Sequence, residues 1–282
     1  MSTVREIRQI IPSHATADGD GVKIRRVAGF NKASFSPFLM VDELKSDQRA
    51  DYVGGFPPHP HRGIETLTYM LTGHFQHRDH MNNVGELRSG GAQWMAAGRG
   101  VIHSEMPIME DGELHGFQIW INQPARDKMS PAQYHDFQPE TITEHGTEAH
   151  GLVRVISGEL NIDDELIRGP LSKTGVPVTV ADWQAYQGAS LNLMTPNDHN
   201  MMVYAYKGSI NIGERVVMQG EMALLSKGEL VTLQSNDISG VLLFIGEPIE
   251  EPVVHYGPFV MNSIEEIEQA IQDYNSGLFE TY

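Results

Sequence analysis

Two short segments of the chain carry side chains that can bind a metal ion in pairs. His59 and His61 are two residues apart, and His103 and Glu105 repeat this spacing about forty residues later. In a β-strand, residues i and i+2 point to the same face, so each pair can aim both side chains at one point. If the two strands are neighbours, three imidazoles and one carboxylate converge. This donor set is typical of a divalent transition metal that keeps positions open for substrate or water.

The composition restricts any metal site to nitrogen and oxygen ligands. The 282 residues include 13 histidines and no cysteine. Without cysteine there are no disulfides, thiolate zinc sites, iron–sulfur clusters or cysteine nucleophiles. Seven of the histidines lie within residues 59–115. Scattered histidines are usually ordinary surface or core residues, whereas clustering in one window indicates a function.

The charge and the hydropathy pattern exclude several classes of partner. The net charge is −17, from 37 acidic and 20 basic residues, and phosphate binding needs clustered lysine and arginine. No run approaches the roughly 18 uncharged apolar residues of a membrane span. The opening residues MSTVREIRQI lack the apolar core of a signal peptide. We therefore expect a cytoplasmic protein that binds neither nucleic acid directly nor membranes.

The elements that must position the ligand pairs are predicted to be β-strands. Short segments rich in β-branched and aromatic residues recur between Gly, Pro, Asn and Asp, and strands at such short spacing favour a sandwich or barrel. The predicted strands are Val22–Val27, Glu65–Leu71, His74–His77, Gln93–Ala96, Gly116–Asn122, Gly151–Gly158, Leu191–Met194, Met201–Lys207, Ser209–Ile212, Met222–Leu225, Leu230–Gln234 and Gly240–Gly246. The fold class is therefore all-β.

One helix is predicted near the C-terminus. Ser263 and Glu266 have the spacing of a capping box, and Gly277 is a natural stop signal. The apolar positions that recur at helical spacing are Ile264, Ile267, Ala270 and Ile271. We expect this apolar stripe to pack on a sheet. A weaker helical turn is predicted after Ser130 and Pro131.

A polar stretch and a weak repeat divide the chain. Residues 136–150 have little apolar periodicity and are predicted to be a linker. The strand–Gly–strand pattern of residues 68–75 resembles that of 203–210, and residues 91–96 resemble 220–225. These patterns predict an N-terminal metal-binding domain over 1–135 and a C-terminal domain over 151–282 that ends in the helix.

The repeat also predicts that the C-terminal domain lacks metal ligands. Aligning Gly208 with Gly73 places Met194, Pro196 and Asn200 opposite His59, His61 and Glu65. Aligning Gly220 with Gly91 places Thr232 and Gln234 opposite His103 and Glu105. Because these residues do not reproduce the donor set, we expect this domain to be structural or to bind a partner.

The segments around the two ligand pairs are similar to those of a known family. Residues 55–66 (GFPPHPHRGIET) resemble the first cupin motif in its pirin form. Residues 93–106 (QWMAAGRGVIHSEM) resemble the second pirin motif, and residues 114–122 (LHGFQIWIN) resemble the strand that follows. The similarity extends from about residue 4 to the C-terminal helix. The chain therefore resembles the pirins of the cupin superfamily over nearly its whole length.

This resemblance implies a bicupin, that is, two double-stranded β-helix (jelly-roll) barrels. It implies one mononuclear metal in the N-terminal barrel, usually iron, with His59, His61, His103 and Glu105 as ligands. The donor set by itself leaves Fe(II), Ni, Co, Mn, Cu and Zn open. The implied activity is that of a quercetin 2,3-dioxygenase, which acts on a flavonol and O₂. Animal pirins are described as nuclear transcription co-regulators, so the alternative is a non-catalytic, redox-responsive metalloprotein that binds a transcription factor or a metabolic enzyme.

Two further residues are singled out by comparison with the family. Glu65 aligns with the glutamate of the first cupin motif, which is a ligand in many cupins. Because Glu105 supplies the carboxylate here, we predict Glu65 to be a proton acceptor behind the ligands, or else a partner of Arg62 or Arg99. His80 stands where serine or phenylalanine is more usual, so near the pocket mouth it would alter substrate choice.

Overall fold

The computed structural model describes residues 2–109 and 111–281, and over these residues the chain consists of antiparallel β-sheets, one α-helix and short 3₁₀ turns. The all-β prediction is confirmed, and each predicted strand coincides with an observed one whose ends differ by at most two residues. The strands are β1 (Ile7–Pro12), β2 (His14–Asp18), β3 (Val22–Ala28), β4 (Phe38–Ser46), β5 (Phe56–His61), β6 (Ile64–Thr72), β7 (His74–Asp79), β8 (Val84–Arg88), β9 (Ala92–Ala96), β10 (Val101–Pro107), β11 (Leu114–Asn122), β12 (Gln133–Phe137), β13 (Thr143–Thr147), β14 (Gly151–Ser157), β15 (Glu159–Ile162), β16 (Glu165–Arg168), β17 (Val178–Ala185), β18 (Ser190–Met194), β19 (Asn200–Lys207), β20 (Ser209–Ile212), β21 (Arg215–Met218), β22 (Glu221–Leu225), β23 (Leu230–Ser235), β24 (Ser239–Gly246), β25 (Val254–Tyr256) and β26 (Phe259–Met261).

The chain divides into two compact units. The histidine-rich unit comprises His14–Asn31, Phe38–Glu140 and Ile249–Tyr282. The second unit comprises Met1–Ser13, Lys32–Pro37 and Thr141–Pro248. Each unit thus combines segments that are distant in sequence, because long-range strand pairing and packing join them.

This division changes the predicted domain boundaries of 1–135, 136–150 and 151–282. Residues 2–13 fold with the C-terminal half because β1 pairs with β22, and residues 249–281 fold with the N-terminal half. The stretch predicted to be a linker contains the end of β12 and all of β13, and each of these strands lies at the edge of a sheet. An edge strand exposes many of its side chains, so it lacks the apolar signal of a central strand. The turn predicted to be helical after Pro131 leads instead into β12.

Two antiparallel sheets form the body of the histidine-rich unit. The larger sheet has the order β12-β9-β6-β11-β4-β3-β2, and the smaller has the order β5-β10-β7-β8. Buried side chains from both sheets, together with Tyr52 from the turn between β4 and β5, form one of its cores: Val22, Ile24, Leu44, Tyr52, Met70, Phe75, Leu87 and Leu114. Both predicted ligand pairs lie in the smaller sheet.

The second unit repeats this construction. A seven-stranded sheet, β1-β22-β19-β24-β17-β14-β13, accompanies a six-stranded one, β16-β15-β18-β23-β20-β21. The core is apolar and centred on residues such as Trp183, Leu191 and Leu243. The two β-domains that the repeat predicts are therefore present as two double-sheet units.

The C-terminal helix α1 (Ile264–Asn275) has the predicted capping box. The Ser263 hydroxyl accepts a hydrogen bond from the Glu266 backbone N–H at 3.2 Å, and the Glu266 carboxylate accepts one from the Ser263 N–H at 3.1 Å. Ile267 and Ala270 are buried as predicted. Ile264, in the first turn, is 63% exposed and lies outside the buried stripe. Within the described residues, no helix is both long enough and apolar enough to cross a membrane.

Candidate metal centre

The two histidine-bearing strands are neighbours. β5 pairs with β10 in antiparallel register, which places His59 opposite His103 and His61 opposite Val101. β5 contains three prolines, which cannot donate to a ladder, and it accordingly lies at the edge of its sheet. The register shifts between His103 and Glu105, so Glu105 lies opposite Phe56.

The imidazoles of His59, His61 and His103 converge. Each offers a ring nitrogen within 4.8 Å of the other two, and the Nε2 atoms of His59 and His103 are 3.0 Å apart. The Nδ1 of His59 lies 2.8 Å from the Pro57 carbonyl oxygen, and the Nδ1 of His61 lies 3.4 Å from that of Pro258. A carbonyl can only accept, so each Nδ1 carries the proton and each Nε2 keeps a free lone pair.

The carboxylate of Glu105 is held between two side chains of the larger sheet. Thr68 donates to its Oε1 at 3.1 Å, and the amide of Gln118 donates to its Oε2 at 3.2 Å. Glu105 belongs to a second group of potential ligands, with His77 and His103, whose donor atoms also lie within 4.8 Å of one another. The four predicted ligands thus occupy two overlapping groups that share His103.

The protonation state of the buried histidines suits metal binding. Burial, together with the neighbouring His59, lowers the pKa of His61 to about 3. Burial and the surrounding histidines also hold the pKa of His103 well below its ordinary value. Imidazole must be neutral to bind a metal. The residues present therefore fit a divalent transition metal.

A cavity of about 930 Å³ opens at these side chains. His59, His61 and Glu105 form part of its wall, and Trp120 packs edge-on against the His61 ring at 5.2 Å between centroids. Its other lining residues include the apolar Phe30, Met40, Phe56, Pro57 and Pro58 and the charged Asp18, Asp20 and Arg26. Its volume lies in the range of small-molecule sites.

The other predicted residues are placed away from the cavity wall. The carboxylate of Glu65 accepts a 2.7 Å hydrogen bond from the Trp94 indole. On β6, Thr68 points to Glu105, so alternation places Glu65 on the opposite face. Its role as a proton acceptor stays a prediction. His80 accepts a hydrogen bond from the Ile102 backbone N–H at 3.1 Å, and its effect on substrate choice also stays a prediction.

His77 is a potential metal ligand that the sequence analysis does not single out. It lies on β7, opposite Glu105 on β10, and its Nδ1 is 3.4 Å from the Nδ1 of His103. Burial raises the pKa of Asp79, two residues further on, but hydrogen bonds from His77 and Asn83 outweigh it and the pKa lies below its ordinary value. The signal was present in the sequence, because His77 and Asp79 repeat the spacing of His103 and Glu105.

The fold and this site define a bicupin protein: two antiparallel double-sheet units, one of which carries a histidine-rich donor cluster. Two sequence families match, "Pirin" over residues 21–121 and "Pirin C-terminal cupin domain" over residues 180–280. The chain belongs to the pirin family.

Three relatives show how far the similarity extends. The chain is 66% identical to a Vibrio cholerae protein provisionally named quercetin 2,3-dioxygenase, over 100% of both chains. It is 36% identical to mouse pirin, covering 98% of this chain and 94% of that protein. Among solved structures, a quercetin 2,3-dioxygenase from Acinetobacter baumannii aligns with a TM-score of 0.90 and 30% identity, over 98% of each chain.

Proposed function

We propose that this protein is a cytoplasmic, mononuclear metal dioxygenase that opens the heterocyclic ring of flavonols, in the manner of quercetin 2,3-dioxygenase. One observation carries the proposal: the half-buried His59 and the buried His61 and His103 converge, and His59, His61 and Glu105 line a large, partly aromatic cavity. The relatives named for quercetin 2,3-dioxygenase activity support the substrate class.

The proposed ligands are His59, His61, His103 and Glu105, and the proposed metal is Fe(II). The nitrogen-rich donor set also suits Ni, Co, Mn and Cu and, less typically, Zn. When bound, such a metal would lower the pKa of the flavonol hydroxyl and hold the substrate next to O₂.

The chain's own residues would bind the substrate and accept its proton. The apolar wall formed by Met40, Phe56 and Trp120 would exclude water and pack against the flat rings. Glu105 lines the cavity and would accept the proton of the flavonol hydroxyl. Its two hydrogen bonds, from Thr68 and Gln118, hold the carboxylate in place for this role.

Turnover assays with defined metals test the proposal. Metal-free protein is loaded separately with Fe(II), Ni(II), Co(II), Mn(II) and Cu(II), and incubated with quercetin and O₂. We expect O₂ consumption and release of carbon monoxide with at least one metal, and loss of both in His59→Ala. Comparing Glu105→Gln with Glu65→Gln at equal amounts of bound metal identifies which carboxylate accepts the proton. No turnover with any metal would refute the dioxygenase and favour the partner-binding regulator.

A further inference from the structure

Three side chains of the smaller sheet form a series of contacts from Asp79 through His77 to the Nδ1 of His103, the ring nitrogen opposite the Nε2 that faces His59. His77 lies between His103 and Asp79, with its Nδ1 3.4 Å from His103 Nδ1 and its Nε2 3.5 Å from Asp79 Oδ2. The side chains of His77 and Asp79 are 3% and 0% exposed. Water therefore does not compete for these contacts.

The position of Asp79 is set by the turn that follows it. Its Oδ1 accepts hydrogen bonds from the backbone N–H groups of Met81 and Asn83, both at 3.0 Å. Its Oδ2 accepts a third from the Asn83 side-chain amide at 2.8 Å. A carboxylate held by three donors has a fixed orientation, so Oδ2 stays directed towards His77.

The ring of His77 is fixed by packing as well. Tyr134 stacks on it with the ring centroids 4.3 Å apart and the planes inclined by 20°. Strand pairing also places His77 opposite Glu105, and Asp79 opposite His103. Stacking on Tyr134 thus fixes the plane of the His77 ring, and strand pairing fixes its position along β7.

These contacts determine which nitrogen of each ring carries a proton. A neutral imidazole has one N–H and one acceptor nitrogen. Asp79 can only accept, so the Nε2 of His77 donates to it and the Nδ1 of His77 is an acceptor. The facing nitrogen of His103 must then be an N–H donor, and His103 Nε2, 3.0 Å from His59 Nε2, is left with a free lone pair.

We propose that His77 and Asp79 are positioning residues, which hold His103 in the orientation and tautomer that present Nε2 to the metal. This inference rests on the metal site of the proposed function. It adds two residues that hold one of the proposed ligands, His103, in place. Carboxylates and other acceptors behind a ligating histidine orient its ring and raise its basicity.

Asp79→Asn tests the tautomer directly. The two backbone N–H groups of the turn still require an oxygen acceptor, so the new amide keeps Oδ1 in place and turns its NH₂ towards His77. Both imidazoles then change tautomer. His77 carries its proton on Nδ1 and His103 carries its proton on Nε2, so the lone pair that would bind the metal is lost. His77→Phe keeps an aromatic ring stacked on Tyr134, but it removes the nitrogen that accepts the hydrogen bond from His103 Nδ1.

The probe is Ni(II), because Fe(II) oxidises in air, and its affinity is measured by competition with a chelator. We expect each variant to bind Ni(II) about 10- to 100-fold more weakly than the wild type. The matched control is Glu86→Gln, which alters the half-buried His74–Glu86 pair of the same hairpin, 3.2 Å apart, and should retain wild-type affinity. Imidazole ¹⁵N spectra of the metal-free protein should show His103 protonated on Nδ1 in the wild type and on Nε2 in Asp79→Asn.

Four results would overturn the inference or the function beneath it. Wild-type affinity in both Asp79→Asn and His77→Phe refutes the inference, and so does a wild-type His103 protonated on Nε2. Two Ni(II) ions per chain, one of them lost in His77→Phe, would make His77 a ligand instead. If His59→Ala also binds Ni(II) with wild-type affinity, the proposed metal site is wrong. If His59→Ala loses affinity but Asp79→Asn and His77→Phe do not, the metal site stands and only the inference fails.

Discussion

The ion pair between Arg62 and Asp273 supports the strand that carries His61. Arg62 directly follows β5, and its Nη1 lies 2.8 Å from the carboxylate of Asp273 on α1. The Arg62 side chain is 1% exposed and that of Asp273 is 11% exposed. The guanidinium also lies 4.6 Å from the centre of the Phe279 ring and donates to the Arg99 carbonyl oxygen at 2.6 Å. We predict that Asp273→Ala destabilises the protein strongly.

The expected magnitude follows from burial. An exposed ion pair contributes about 0–1 kcal/mol, whereas removing one partner of a buried pair costs about 3–5 kcal/mol, because an uncompensated charge stays in the interior. The Phe279 ring and the Arg99 carbonyl still stabilise the guanidinium in Asp273→Ala. We therefore expect the free energy of unfolding to fall by about 3 kcal/mol, the lower end of this range.

Urea unfolding at neutral pH measures this loss. The double variant Arg62→Met/Asp273→Leu should lose much less than the sum of its single variants, because no charge is left buried. Glu268→Ala, which removes an exposed carboxylate of the same helix, serves as the control and should change stability by less than about 0.5 kcal/mol. A loss below about 1 kcal/mol in Asp273→Ala, or strict additivity in the double variant, would refute the reasoning.

Three further predictions concern pH, a buried lysine and metal removal. His61 has a pKa of about 3 when folded and 6.5 as its ordinary value, so between these pH values only the unfolded chain binds a proton there. The metal-free protein should therefore lose about 5 kcal/mol of stability as pH falls through that window, and His61→Leu should flatten the dependence in urea unfolding. The Lys128 ammonium donates to the Gly63 and Val260 carbonyls and to Asn122, so Lys128→Met should cost about 3 kcal/mol by the same assay, and a loss below about 1 kcal/mol would contradict this. Removing bound metal with a chelator should lower the midpoint of thermal unfolding, because metal at about 100 times its Kd stabilises the folded state by about 2.7 kcal/mol; an unchanged midpoint would argue against a metal bound in the folded state.

Much of the fold was predictable because its signals are local. Strands such as β6 and β11 are bounded by turn residues and show β-branched and aromatic enrichment, and the capping box of α1 needs only Ser263 and Glu266. Strands such as β12 and β13 were missed because they lie at sheet edges and are polar. Their conformation is stabilised by pairing with β9 and β14, which no short window of sequence contains.

By itself, the sequence determined that the chain has two ligand pairs, because a strand repeats every two residues and His59–His61 and His103–Glu105 follow that period. Only the tertiary structure decided which other side chains complete the site. His77 contacts His103 across a sequence separation of 26 residues. Pro258 contacts His61 across 197 residues, and Asp273 contacts Arg62 across 211 residues. Such contacts depend on strand order and on packing of the last segment, so the residues that orient and support the ligands become visible only when the chain is folded.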